Sequence, residues 1–330
     1  MDWSFISSVT LQSAFGVSAI VFGLAAIGLN IQFGYTGLLN FGQSAFLAVS
    51  AYSLAVVVSE MGFNFWIGIV VGILAAIILA LLLGIPTLRL RADYLAIVTI
   101  AAAEIVRLLL RSVTLKDIFG GSDGINDFSD GFYSLNFLPI RQYDLGPVSL
   151  SQDEVFVLIV GWALVALAVL LSWLLVRSPW GRVVKGIRED EDAVRSLGKN
   201  VYMYKMQALV IGGVLGCLGG FIYALGQRAV QPDFFGTDST FFVYAILILG
   251  GAARVFGPVL GTVIFWALIQ GSDVILRSGI DAGYPGFSLM TGSQAAVIRF
   301  ILVGAGLMAL MIFRPQGILG DRNELALDAR

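Results

Sequence analysis

Glu189-Asp190-Glu191-Asp192 is the densest run of acidic side chains in a 330-residue sequence of which only 13% is charged. Adjacent carboxylates of this kind can hold magnesium and, through it, a diphosphate, as membrane prenyltransferases do. That chemistry needs a second acidic motif facing the first. The loops that charge sorting places on the same side offer only Asp93, Asp321, Glu324 and Asp328, scattered singly. A second candidate is Glu104, an ionisable group inside an apolar run, with Arg107 and Arg111 on its face at i+3 and i+7. Such a group is expensive in a membrane and must face protein or water, so it either pairs internally with Arg107 or lines a path, where it could also carry a proton. Asn30, Gln32, Asn40, Gln43 and Ser44 form a third set, crowded where one apolar run ends and the next begins. They can bond helices to one another, or mark a broken helix whose free backbone groups meet a charged solute. The chain has no histidine, and Cys217 is its one cysteine, within an apolar run, so neither a disulfide framework nor a multi-cysteine metal site can form. No GxxxxGK[ST] phosphate loop occurs, so any ATP would be hydrolysed by another chain.

These residues sit in a sequence that is 58% hydrophobic with 39 glycines, more apolar surface than one soluble core buries. A spanning helix needs about 20 mostly apolar residues, and such runs occur near 14–31, 37–58, 65–85, 94–112, 155–176, 206–226, 240–252, 257–276 and 294–313. The expected fold is an all-α polytopic membrane protein with about nine transmembrane helices (eight to ten). The run from Phe15 has no Lys or Arg before it and leads into further spans, so it reads as a membrane helix rather than a cleavable signal. Thirteen of the 20 lysines and arginines fall on one side: Arg89, Arg91, Arg177, Arg182, Lys185, Arg188, Arg195, Lys199, Lys205, Arg254, Arg314, Arg322 and Arg330. That side is the cytoplasmic one. Acids collect opposite, including Asp117, Asp123, Asp127, Asp130, Asp144, Asp153 and Glu154 in the 113–154 loop. Counting spans puts the N-terminus outside and the C-terminus inside, unless Asn40 and Gln43 split residues 31–58 and invert the start.

The acidic run thus belongs to a cytoplasmic loop, 177–205, whose apolar residues Val183, Ile187, Val194 and Leu197 recur at helical steps and define one face of a short amphipathic helix. Such a face either lies against the lipid surface or docks on a partner. Six collinear stretches decide between these: GLNIQFGYTGLLNFGQSAFLAVSAY, LRLRADYLAIVTIAAAEIVRLLLR, GGSDGI, SPWGRVVKGIREDEDAVRSLGKNV, GGAARVFGPVLG and FRPQGILG. Together they resemble the LivM-type permeases of branched-chain amino acid ABC importers, from about residue 20 to 320. The resemblance implies a type II ABC importer-like permease whose loop 178–201 carries the coupling helix, seated on an ATP-hydrolysing subunit. Gly181, Arg182, Val183, Ile187, Arg188, Glu189, Asp190, Val194 and Gly198 would make that contact, with Val183, Ile187 and Val194 docking, charges fixing register and the two glycines bracketing the helix.

The resemblance also implies partners: a homologous second permease, two ATPases that hold the ATP and magnesium, and an extracytoplasmic binding protein, all at a bacterial inner membrane. No cofactor is expected in this chain, nor a nucleic-acid partner. Residues 1–320 would form one permease domain and 321–330 a cytoplasmic tail. Gly212, Gly216 and Gly220, like Gly257 and Gly261, recur every four residues and suit close helix packing. Pro258 is expected to break its helical run into a tight corner. GGSDGI is expected to be a flexible connector or a contact for the binding protein. The candidate path residues are Asn30, Gln32, Asn40, Gln43, Ser44 and Glu104. Urea or short amides, or proton-coupled transport through Glu104 without an ATPase, are the alternative functions.

Overall fold

The computed structural model describes residues 3–88, 92–145, 148–282 and 291–320. Arg89, Arg91, Arg322 and Arg330 of the charge count and the tail 321–330 lie outside the described residues. Among the described residues fourteen α-helices follow in chain order: α1 Trp3–Phe15, α2 Val17–Leu29, α3 Gln43–Ser59, α4 Phe65–Thr87, α5 Ala92–Arg111, α6 Lys116–Phe119, α7 Asp130–Tyr133, α8 Gln152–Arg177, α9 Pro179–Glu189, α10 Glu191–Ser196, α11 Val201–Gln227, α12 Thr237–Gly250, α13 Gly257–Asp281 and α14 Gly292–Phe313. The short strands β1 Ile125–Asn126, β2 Tyr143–Leu145, β3 Val148–Leu150 and β4 Ala229–Val230 pair antiparallel as β1 with β4 and β2 with β3.

Among the described residues six helical segments are long and apolar enough to cross a membrane: Trp3–Tyr35, Phe65–Thr87, Gln152–Arg177, Val201–Gln227, Gly257–Asp281 and Gly292–Phe313. The chain is therefore a multi-pass membrane protein. Of the other three runs read from the sequence, α5 is long but charged, while Gln43–Ser59 and Thr237–Gly250 are apolar and short. At 1.5 Å per residue α12 reaches only about 21 Å, against a hydrocarbon core of about 30 Å.

Two ends can be distinguished by what they carry. The basic end holds α9 and α10; the acidic end holds the 113–145 segment and the start of α8. The first helical segment runs from the acidic end, where Val17 meets Gly226 at the far end of α11, to the basic end, where Gly34 meets Arg188 of α9. It extends further towards the N-terminus than the expected 14–31, because α1 lies along α13 and continues α2 past a bend at Gly16. The expected span at 37–58 is corrected too. Helix gives way after a six-residue π-helical turn, Asn30–Tyr35, residues 37–42 are non-helical, and α3 begins only at Gln43. Beyond the split α3 runs back to Ser59, near the Phe65 that packs on Phe132 at the acidic end.

The core is formed by α2, α3, α11 and the adjacent parts of α12 and α13. α2 approaches α11 closely: a Cβ on Gly28 would lie 2.2 Å from the Gly212 carbonyl oxygen, so only glycine fits. The glycine rows thus act as expected, with Gly261 likewise pressed against the Ile246 carbonyl of α12. The expected tight corner is present, over residues 251–256 between α12 and α13; Pro258 stands just beyond it, in the first turn of α13, where proline's missing N–H costs nothing. GGSDGI is ordered rather than a loose connector: Ile125 is buried and pairs with Val230, and Lys116 bonds Asp123 at 2.7 Å.

Candidate functional site

The split after α2 brings the amide side chains together. Asn30 Nδ2 donates to the Arg254 carbonyl at 2.8 Å and its Oδ1 accepts from Ala253 N–H at 2.9 Å. Gln32 Nε2 donates to the Leu209 carbonyl at 3.0 Å, and its Oε1 accepts from Asn40 Nδ2 at 2.8 Å. Asn40 Oδ1 takes the Gly42 N–H at 2.9 Å, its carbonyl takes the Tyr244 hydroxyl at 3.1 Å, and Gln43 Nε2 reaches the Ala25 carbonyl at 3.1 Å. Ser44 N–H donates to Thr240 Oγ1 and Phe41 N–H to Thr99 Oγ1, both at 3.0 Å. All five predicted polar residues are buried. A turn left by a helix in an apolar interior must have its backbone groups satisfied, and these amides, with Thr99, Thr240 and Tyr244, do so. Their side chains bond the helices to one another across a broken helix. Ser44 Oγ is the exception, buried with no hydrogen-bond partner.

At the basic end the split meets α9. The predicted boundaries shift: Ser178 caps the helix through Gly181 N–H, Pro179 occupies its first turn, and Gly181 lies within it rather than at its start. A break at Asp190 divides the expected single helix in two, with the Asp190 carboxylate capping α10 through Ala193 N–H at 3.0 Å; Gly198, at φ +76°, follows α10. The apolar face is also divided. Ile187 is buried within the chain, as is Val184, which packs with Tyr35 and Ala253; Val183 and Val194 are half-buried and Leu197 is 80% exposed. So Ile187 is withdrawn from the surface on which it was expected to dock. Arg188 is not a loose rim charge: its Nη1 donates to the Gly34 carbonyl at 2.6 Å, and its side chain crosses Gly37, whose φ of +73° suits glycine. Lys185 Nζ sits 5.6 Å from the centre of the Tyr35 ring. Arg182 and Glu189 are exposed.

The acidic run is spent on local structure. Asp192 and Glu191 pair with Arg195 at 2.7 and 2.9 Å, and Glu191 also holds Lys205. Among the described residues no group of three or more His, Cys, Asp or Glu is placed to hold a metal ion.

Glu104 stands apart from the split, just past the middle of α5 on the side of its acidic end. The pair expected from its spacing is present and bidentate, with Arg107 Nε to Oε2 at 2.9 Å and Nη2 to Oε1 at 2.5 Å. Asp233, in the 3₁₀ turn Pro232–Phe235 that precedes α12, joins it by accepting from Arg107 and Arg111 at 3.1 and 3.2 Å.

Residues 13–312 match the family described as the branched-chain amino acid transport system permease component. The chain belongs to that family. Its relatives include the high-affinity branched-chain amino acid transport permease LivM of Escherichia coli K12, 31% identical over 321 residues that cover 91% of this chain and 68% of the relative. The corresponding Salmonella typhimurium protein is 32% identical over 316 residues with the same coverage. A probable LivM of Methanocaldococcus jannaschii is 24% identical over 363 residues, covering 98% and 95%.

In this permease the predicted residues therefore fall into three places: the amide junction, α9–α10 and Glu104. Sequence reading missed Val184, because Val183 and Val184 both fit a helical step to Ile187 and only the packing of Tyr35 and Ala253 chooses between them. The Ser178-Pro179 cap signal, which fixes the helix start, was available.

Proposed function

We propose that this permease is the membrane-spanning subunit of an ATP-driven importer for branched-chain amino acids in a bacterial inner membrane, working with a second, homologous permease, two ATPases and an extracytoplasmic binding protein. The observation that carries the reading is the family match across residues 13–312. The basic end is the cytoplasmic side, as the excess of Lys and Arg there argues. α9 and α10 are the coupling segment. Val184, Ile187 and Arg188 fasten α9 to the permease, while Val183, Val194 and Leu197, with Arg182, Glu189 and Asp190 around them, face the ATPase. A helix held on one side and exposed on the other is suited to carrying rigid-body motion from one subunit into the next.

Solute passes beside the short helices α3 and α12. The amide junction of Asn30, Gln32, Asn40 and Gln43 forms the wall behind them, and Ser44 and Glu104 lie at two levels of the passage. The proton-coupled alternative is disfavoured by Glu104's two bonds to Arg107, which favour its charged form.

Co-purification in mild detergent followed by uptake in proteoliposomes tests the reading. ATPase and second-permease subunits should accompany the chain. Leucine, isoleucine or valine uptake should require ATP hydrolysis and persist when the proton gradient is collapsed. Uptake by the purified chain alone, driven by a proton gradient and lost in Glu104→Gln, would contradict it.

A further inference from the structure

Four ionised side chains stand together on α5 and the turn before α12. Arg107 is largely covered, at 16% side-chain exposure, but Glu104, Arg111 and Asp233 are 37%, 47% and 63% exposed. Glu104 lies seven residues inside the end of α5, about 10 Å along the helix. Ionised groups at that depth cannot face hydrocarbon.

Wholly apolar exposed surface lies on α4, α8 and α14, with Leu82, Leu174 and Ile312 and their neighbours; on α5 the exposed apolar residues Ile105, Leu108 and Leu109 are interrupted by the charged face of Glu104, Arg107 and Arg111. The turn holding Asp233 points the same way. α12 is too short to span alone, and the strand β4 and 3₁₀ turn Pro232–Phe235 lead into it; backbone that is not α-helical is tolerated at membrane depth only within protein or along a water-filled cavity. Next to this turn is Tyr52 of α3, whose ring meets Phe235 edge-on at 6.2 Å and whose hydroxyl is buried without a hydrogen-bond partner. Ser44, two helical turns nearer the basic end, repeats that feature.

We infer that α5 and the 229–236 turn line the outer part of the solute path, and that the cluster is its receiving station for an amino-acid zwitterion. Arg111, with Arg107 behind it, meets the α-carboxylate, and Asp233 and Glu104 meet the α-ammonium. Two acids and two guanidinium groups sum to zero charge, matching a solute that carries one of each, and the exchange of an internal ion pair for two pairs with the solute keeps every charge compensated. The inference rests on the importer reading and adds the contacts by which the permease itself would select an amino acid.

Charge-bearing thiol reagents separate this role from a merely structural one. In the reconstituted importer on a Cys217→Ala background, Arg111→Cys should lower leucine uptake at least tenfold. An impermeant trimethylammonium thiosulfonate applied from the acidic side should react with the introduced thiol, more slowly under saturating leucine, and restore at least half the uptake; the sulfonate reagent should not. Asp233→Cys should show the opposite sign preference. Failure of the thiols to react, rescue indifferent to charge, or unaltered uptake in both variants would overturn the station. The parent importer is the control. If it carries no aliphatic amino acid, the importer reading itself fails, whereas normal parent uptake with indifferent variants removes only the station.

Discussion

Two irregular stretches between helices, 36–42 and 229–236, are finished in opposite ways. At residues 36–42 the break is neutral, buried and closed: Asn30, Gln32, Asn40 and Gln43 bond backbone groups of the surrounding helices and one another. At 229–236 the break is ionised and half open, with Asp233 and Arg111 exposed. Both solve the problem of irregular backbone at membrane depth, and the difference separates their roles. Saturated amides make a stiff joint able to receive force from α9, and exposed charges make a surface able to receive a solute.

The largest effect expected is on the closed break. Asn40→Leu removes the partner of Gln32 Oε1 and of Gly42 N–H, each worth about 1 to 3 kcal/mol when left buried and unpaired, so most of the chain should be lost from the monodisperse fraction on size exclusion. Arg111→Gln should leave that fraction intact. If both variants behave alike, the contrast between breaks is broken.

The next effect sharpens the division within α9. Val183→Asp with Leu197→Asp should leave the permease folded but lose the ATPase in pull-down. Val184→Asp should unfold or detach α9 itself, read as new protease sensitivity in the 177–205 segment. Equal outcomes would mean that the inward and outward faces are wrongly divided.

The smallest effect lies on the acidic surface. Lys116 lowers the Asp123 pKa below the ordinary carboxylate range through their hydrogen bond, and Asp123 raises that of Lys116. The pair's contribution is present above the ordinary Asp value and fades as pH falls through the lowered one, so uptake should not change on its account between pH 8 and 5. Asp123→Ala should alter uptake less than twofold, because exposed pairs are screened by solvent.

Most of the fold was legible, and for a physical reason: hydrocarbon demands long apolar runs, so composition alone located the helices. The same rule misjudged 37–58, where the apolar run continues through Gly37, Leu38 and Phe41 although the backbone has left the helix. Hydropathy registers side chains and does not register how backbone bonds are satisfied. The Glu104–Arg107 pair was legible because it is local, at i+3. Asp233 was not, because 126 residues separate it from Arg107 and only the tertiary fold joins them. Arg188 was read as a charge fixing register on the ATPase for the same reason: its partner, the Gly34 carbonyl, is a backbone atom that leaves no trace in a charge pattern.

That bond is the most direct test of the claim that α9 drives the closed break. Arg188→Ala removes a charge-assisted hydrogen bond worth about 1.5 to 3 kcal/mol while leaving Val184 and Ile187 packed. The measurement is leucine delivered per ATP hydrolysed by the reconstituted importer. The predicted result is retained ATPase binding and hydrolysis with at least a tenfold fall in that ratio; a ratio equal to the parent's would contradict the account.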